Sequence, residues 1–121
     1  MRILSFVVRW AMLGPYYGRI VRRSTRQVLT RLEGCFPTGV ETFHYGANYL
    51  DPKHLAIWFL VPTNVDLARA RTSGLEERVR DETKVTLARN GYPARSLPDV
   101  AVGMDSSENV ESGGGRYRYF K

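Results

Sequence analysis

The sequence has little cysteine, little lysine and no long uninterrupted apolar run. Cys35 is the only cysteine among 121 residues, so no internal disulfide can form, and a lone thiol favours a reducing, cytoplasmic environment. The apolar segment at residues 1–13 is interrupted by Arg9 and is shorter than the roughly 20 residues that a membrane-spanning helix needs. No small-residue cleavage site follows this segment, which argues against a secretory signal.

Complete catalytic, metal-binding and cofactor-binding motifs are also missing. The glycine run at residues 113–115 lacks the strand-loop-helix context and the Lys-Ser/Thr ending of a phosphate-binding loop. Neither Cys-x-x-Cys nor His-Glu-x-x-His occurs, although such patterns are typical of metal sites. We therefore expect no cofactor, no metal and no catalytic residue, and we favour a protein that is not an enzyme.

One polar group between two predicted strands is the best place to look for catalysis. His44, Asp51 and His54 lie in or beside this connection, and imidazole can act as an acid, a base or a metal ligand near neutral pH. Asp51 precedes a proline, however, which is an ordinary turn dipeptide, and a full set of metal ligands is lacking. Packing or surface hydrogen bonding is therefore the preferred interpretation of both histidines.

What the chain does have is an uneven distribution of charge. The formal net charge is +6, and residues 36–121 contain equal numbers of basic and acidic residues. The excess lies in residues 1–35, where Glu33 is the one acidic residue. This asymmetry is typical of a face for an acidic protein, nucleic acid or an anionic membrane, although a compositional preference for arginine also produces it. The basic residues of this segment are Arg2, Arg9, Arg19, Arg22, Arg23, Arg26 and Arg31.

Residues 15–33 are predicted to form a basic amphipathic helix. Pro15 suits a first helical position and Gly34 suits a stop, and apolar residues recur between them at helical spacing. A solvated charged face is the ordinary explanation of the polar side, but a face without mixed ion pairs keeps a binding role open. The polar face consists of Arg19, Arg22, Arg23, Arg26 and Thr30.

Residues 40–45 and 54–61 are predicted to be two strands of an antiparallel hairpin with a long connection. The second strand is apolar on both faces, which is typical of a central strand. Trp58 and Phe59 within it must face opposite sides of the sheet.

The C-terminal half is predicted to contain a helix followed by two strands. Ser73 and Glu76 have the spacing of a capping box before a longer helix. Residues 100–104 indicate a strand that continues toward Val110, and the alternation at residues 116–119 indicates a final edge strand.

This order predicts a single α+β domain over residues 1–121, built as a two-layer sandwich. We expect an antiparallel sheet of about four strands with two helices on one face. Residues 1–13 are interpreted as a first strand or a loosely attached apolar segment, with peripheral membrane anchoring as the less favoured alternative. With that strand the order matches the ferredoxin-like β-α-β-β-α-β arrangement, and without it an α-β-β-α-β-β arrangement remains.

The leading functional hypothesis is a small non-enzymatic module that docks a protein partner, as inhibitor and immunity proteins do. The alternative is binding of RNA or single-stranded DNA, with the basic helix on phosphates and the final strand stacking bases. A protein partner is favoured because an aromatic edge strand can also extend a partner's sheet. The residues expected to contact the partner are Arg19, Arg22, Arg23, Arg26, Arg116, Tyr117, Arg118 and Tyr119.

Overall fold

A computed structural model describes the backbone of residues 2–46 and 51–115, and within these ranges the side chains from residue 16 onward. The predicted α+β class is confirmed. The elements, in chain order, are helix α1 (Arg2–Arg31), strands β1 (Glu41–Tyr45) and β2 (Ala56–Val61), helices α2 (Asn64–Thr72) and α3 (Leu75–Arg89), strand β3 (Ala101–Ser106) and helix α4 (Ser107–Ser112), with 3₁₀ turns at Pro52–His54 and Ala94–Asp99.

Helix α1 is longer than the sequence predicted, because it includes the segment expected to be a strand. It runs from Arg2 to Arg31, so the strand predicted at residues 1–13 and the helix start predicted at Pro15 are both wrong. A nearly unbroken apolar run has no periodicity that separates a strand from a helix. Extending an existing helix gains one hydrogen bond per residue without a new nucleation cost, and this favours continuation even though Pro15 has no N–H to donate.

The three strands of the described residues form one mixed sheet in the order β1-β2-β3. β1 and β2 are antiparallel, with Glu41 opposite Leu60 and Tyr45 opposite Ala56, so the predicted hairpin and the central position of β2 are confirmed. β3 runs parallel to β2, which corrects the prediction of an all-antiparallel sheet. The physical reason is the connection: α2 and α3 form a crossover long enough to return the chain in the same direction.

The ferredoxin-like order is not confirmed, because it requires a strand where α1 lies. The predicted continuation of the third strand toward Val110 is wrong, since α4 begins directly after Ser106. The side-chain oxygen of Ser106 accepts a hydrogen bond from the Asn109 amide at 3.0 Å and so caps this helix. The edge strand predicted at residues 116–119 lies outside the described residues.

The capping box lies one helix earlier than predicted. Thr63 Oγ1 accepts from the Asp66 amide at 3.1 Å, and the Asp66 carboxylate accepts from the Thr63 amide at 3.3 Å, at the start of α2. Ser73 instead ends α2, and α3 begins after Gly74, whose φ is +80°. The box predicted at Ser73 and Glu76 is therefore wrong, because a left-handed glycine separates the two helices.

A single hydrophobic core lies between the sheet and helices α1, α2 and α3. On β2, Ile57, Phe59 and Val61 share the face that points into it, and all three are fully buried. Helix α1 contributes Val21 and Val28, which are also fully buried. One face of α1 therefore rests on the core, and the other faces solvent. Within the described residues, no helix has the length and apolar character to cross a membrane.

Candidate partner-binding surface

The solvent-facing side of α1 displays the arginines predicted to bind a partner. Arg19, Arg22, Arg23 and Arg26 are all exposed. At 3.6 residues per turn, Arg19, Arg23 and Arg26 follow one line along the helix, and we call these three residues the arginine stripe. Arg22 lies on the flank of the stripe, toward β1. The outward display that the prediction requires is therefore present.

Acidic side chains leave the arginine stripe unneutralised. Among the residues that the structure describes, no carboxylate lies within 4 Å of the stripe or of Arg22. The acid that reaches α1 from later in the chain pairs with Arg31, whose Nη1 is 2.8 Å from Glu82 Oε1 on α3. Like charges four residues apart, such as Arg19 and Arg23, cost a helix about 0.2–0.5 kcal/mol. The stripe therefore slightly destabilises the helix that carries it.

Helices α1 and α3 are antiparallel and are joined by polar contacts along their interface. Arg31 pairs with Glu82 at one end. At the other end Asn90 Nδ2 donates to Ser24 Oγ at 2.9 Å and to Gln27 Oε1 at 2.8 Å. A groove of about 320 Å³ opens along this interface, and we call it the α1–α3 groove. Its lining residues are Arg26, Gln27, Thr30, Arg31 and Arg89.

Three tyrosines hold α1 against the turn that follows α3. The ring centroids of Tyr16 and Tyr17 are 5.7 Å apart, and those of Tyr17 and Tyr92 are 5.4 Å apart. Tyr92 is buried, and its hydroxyl donates to the Pro52 carbonyl. Tyr16 remains 45% exposed, so an aromatic side chain borders the arginine stripe one turn before Arg19.

The aromatic side chains of the central strand point to two different sides, as the alternation predicts. Phe59 is buried in the core under the helices. Trp58 pairs with Phe43 on the opposite face and lies over Gly103, where a Cβ atom would come within 2.9 Å of the indole ring. The exposed face of α1 and the face that carries Trp58 are therefore on opposite sides of the sheet. A nucleic-acid strand in contact with both surfaces would have to pass around the edge of the sheet.

The three residues considered for catalysis have separate environments. His44 shares the helix-facing side of β1 with its partner Ile57, and Asp51 accepts from the Lys53 amide at 3.2 Å to begin the 3₁₀ turn. His54 is exposed at the end of that turn. Burial, and second the charge of Arg22, lower the pKa of His44 below its ordinary value. His44 therefore belongs to the helix-facing side of β1, whereas Asp51 and His54 lie at the two ends of the 3₁₀ turn in the connection between β1 and β2.

Two further polar side chains outside this group, Asp105 and Cys35, contact neighbouring residues. Asp105 is buried and accepts from the Ser106 amide at 2.8 Å and from Asn109 Nδ2 at 3.1 Å. Cys35 is a free, exposed thiol, 3.8 Å from Arg78 Nη1. In the part of the chain with described side chains, no three His, Cys, Asp or Glu residues are grouped to hold a metal ion.

The environment of His44 predicts a pH-dependent stability. In the unfolded chain His44 takes up a proton near pH 6.5, whereas in the folded protein burial and Arg22 delay that uptake to lower pH. The contribution of neutral His44 is therefore complete above pH 6.5 and is lost as the pH falls, because the unfolded state then binds more protons. We expect the free energy of unfolding to decrease between about pH 7.5 and 5.5.

Urea denaturation at several pH values measures this effect. The variant His44→Gln should show a smaller decrease than the natural protein over the same range. His54→Gln is the matched control, because this second histidine is exposed. A pH dependence that is identical in the natural protein and in His44→Gln would contradict the expectation.

The sequence prediction and the observed surface overlap in part. The arginines predicted on α1 are brought together, whereas Arg116, Tyr117, Arg118 and Tyr119 lie outside the described residues. The sequence prediction did not include Gln27 and Arg89, which line the groove. In the sequence, Arg89 looks like any cation that stabilises the end of a helix. Only the packing of α3 on α1 brings it beside Arg26. Comparison of the chain with protein-family models, curated proteins and solved structures finds no match.

Proposed function

We propose that this chain is a non-enzymatic binding module that docks an acidic protein partner on the exposed face of α1, in the manner of an inhibitor or immunity protein. The observation that carries the proposal is the arginine stripe, which is exposed and has no acidic side chain within 4 Å among the described residues. A carboxylate-rich partner surface would relieve the like-charge repulsion along α1. It would also make bidentate contacts with guanidinium groups.

The neighbours of the stripe favour a protein over a nucleic acid. Tyr16 at one end of the stripe and Val85 on α3 are 45% and 51% exposed. Val85 lies one helical turn before Arg89, which lines the α1–α3 groove. Tyrosine and arginine together are enriched in protein interfaces, where an apolar or aromatic anchor supplies much of the binding energy. Contacts with phosphates need no such apolar neighbours.

The alternative function is binding of RNA or single-stranded DNA. It uses the same arginines, together with stacking by the final segment at residues 116–119. The opposite placement of α1 and Trp58 gives it no support from the described aromatic residues, because a single strand on α1 would have to pass around the sheet edge to stack on Trp58. It remains the second outcome of the experiment below.

The experiment compares affinity capture by three forms of the full chain. The first is the natural sequence, the second carries Arg19→Glu, Arg23→Glu and Arg26→Glu together, and the third carries Arg95→Glu. Arg95 is exposed and lies outside α1, so its reversal shows the effect of a charge reversal away from the stripe. A cytosolic extract under reducing conditions is the appropriate source, because the free Cys35 fits the compartment that the sequence predicts.

We expect at least one protein that binds the natural chain and Arg95→Glu but is lost with the triple variant. With the purified partner, the triple variant should bind about 100-fold more weakly, because reversal replaces three attractions with repulsions. Circular dichroism must show the same helix content in all three forms. Equal partner affinity of the triple variant would contradict the proposal. So would oligonucleotide binding that is tighter than any protein binding and falls steeply with salt, as counterion release requires.

A further inference from the structure

The α1–α3 groove concentrates positive charge from two helices. Arg26 and Arg31 come from α1 and Arg89 from α3. Arg31 is already paired with Glu82 at 2.8 Å, so the groove keeps an excess of two positive charges. Arg31 and Arg89 lie in the last turns of their helices, where a cation also stabilises the helix dipole. Arg26 is farther from the end of α1 and has no such role.

The side chain of Gln27, which also lines the groove, is oriented by Asn90 at the end of α3. Asn90 Nδ2 donates to Gln27 Oε1 at 2.8 Å, which uses the acceptor of the glutamine amide and leaves its two N–H groups to donate. Thr30 also lines the groove. Its hydroxyl donates its proton to the Arg26 carbonyl at 3.1 Å. The groove therefore offers guanidinium and amide donors, and its lining includes no carboxylate.

Building on the proposed function, we propose that this groove holds a phosphate monoester on a phosphorylated side chain of the docked protein. A phosphate monoester carries about −1.5 to −2 charges at pH 7 and three acceptor oxygens. It therefore matches an excess of two positive charges. A carboxylate carries only one negative charge, so it would leave one of the two excess positive charges of the groove without compensation. The arginine stripe would then contact acidic residues beside the phosphorylated position.

The probes are three five-residue peptides, blocked at both ends, that are identical except for a central phosphoserine, glutamate or serine. Binding is followed by the NMR signals of the arginine Nε–H groups in the full-length protein at pH 7.4. We expect the phosphopeptide to shift the signals of Arg26, Arg31 and Arg89 in a saturable way. Its affinity should exceed that of the glutamate peptide by about tenfold or more, equivalent to one additional charge-assisted hydrogen bond.

Single substitutions locate the site. Arg26→Gln and Arg89→Gln should each weaken phosphopeptide binding by about tenfold, because each removes one charge-assisted contact. Arg95→Gln is the control, because Arg95 is exposed and lies outside both helices; it should bind as the natural protein does. Equal affinity for the glutamate peptide, or an equal shift at Arg95, would overturn the inference. Tighter binding of a diuridine phosphodiester than of the phosphopeptide would overturn it as well, in favour of nucleic acid.

The two proposals fail in different ways. If the phosphopeptide does not bind but the triple glutamate variant loses its protein partner, the groove inference fails and the docking surface stands. If the phosphopeptide binds in the groove but the triple variant keeps its partner, the docking proposal fails and the phosphate site stands without the partner assigned to it.

Discussion

Replacement of Phe59 by alanine is expected to lower the free energy of unfolding by about 3–5 kcal/mol, the usual cost of removing a buried phenylalanine. Phe59 is fully buried and lies in the central strand, opposite Thr42 of β1 and Met104 of β3. Its ring stacks on that of Phe36, with centroids 6.0 Å apart. Helices cover one side of this position and paired strands flank it, so neighbouring side chains have little room to fill the cavity.

Urea or guanidinium denaturation measures the decrease in the free energy of unfolding of Phe59→Ala. Val65→Ala is the control, because Val65 is 61% exposed and its truncation should change stability by less than about 0.5 kcal/mol. The substitution also bears on function, because Phe36 lies in the turn directly after α1. Loss of its stacking partner should loosen the end of the helix that carries the arginine stripe. A loss below about 1 kcal/mol would contradict the burial described for this strand.

The second large effect is expected for Gly46→Ala, which should destabilise the protein by about 3 kcal/mol or more. Gly46 has φ = +117° at the end of β1, a conformation that side chains other than glycine's rarely adopt. An added Cβ would lie 1.7 Å from the carbonyl oxygen of His54 and 2.9 Å from its carbonyl carbon. Both atoms belong to the backbone, so relief requires movement of the hairpin connection itself.

Gly34→Ala separates the two contributions to that cost. Gly34 also has a positive φ, +87°, but no atom lies within 4 Å of the place that its Cβ would take. Its substitution should cost about 1–2 kcal/mol, from backbone conformation alone. The difference between the two variants, measured by denaturation under the same conditions, gives the steric part at Gly46. If Gly46→Ala lowers the free energy of unfolding by no more than Gly34→Ala does, the close approach of Gly46 to the His54 carbonyl is wrong.

Local patterns were sufficient for the elements whose neighbours lie close in the chain. The amphipathic spacing before Gly34 predicted the helix that carries the arginine stripe. The apolar character of both faces of residues 54–61 predicted a central strand, and β2 has that position. The hairpin of β1 and β2 followed as well, because antiparallel strands joined by a loop pair with each other. In each case the decisive residues lie within one element or in the next one.

The errors arose where a pattern was compatible with two structures. The apolar residues before Pro15 fit a strand or a buried helix equally well, and continuity with α1 made them helical. The direction of β3 depends on the crossover through α2 and α3, which is not a property of the strand's own residues. Ser73 and Glu76 have the spacing of a capping box, but Gly74 between them ends one helix and starts the next.

The sequence by itself determined that α1 would have an arginine face without acidic residues, because a helical repeat assigns each side chain to a face. Tertiary structure alone decided which of these arginines pairs with an acidic side chain and which lies beside an arginine of another helix. The packing of α3 on α1 places Glu82 against Arg31 and Arg89 beside Arg26. Electrostatic interactions act over a few ångströms in space regardless of separation along the chain, so the groove exists only once the two helices have docked.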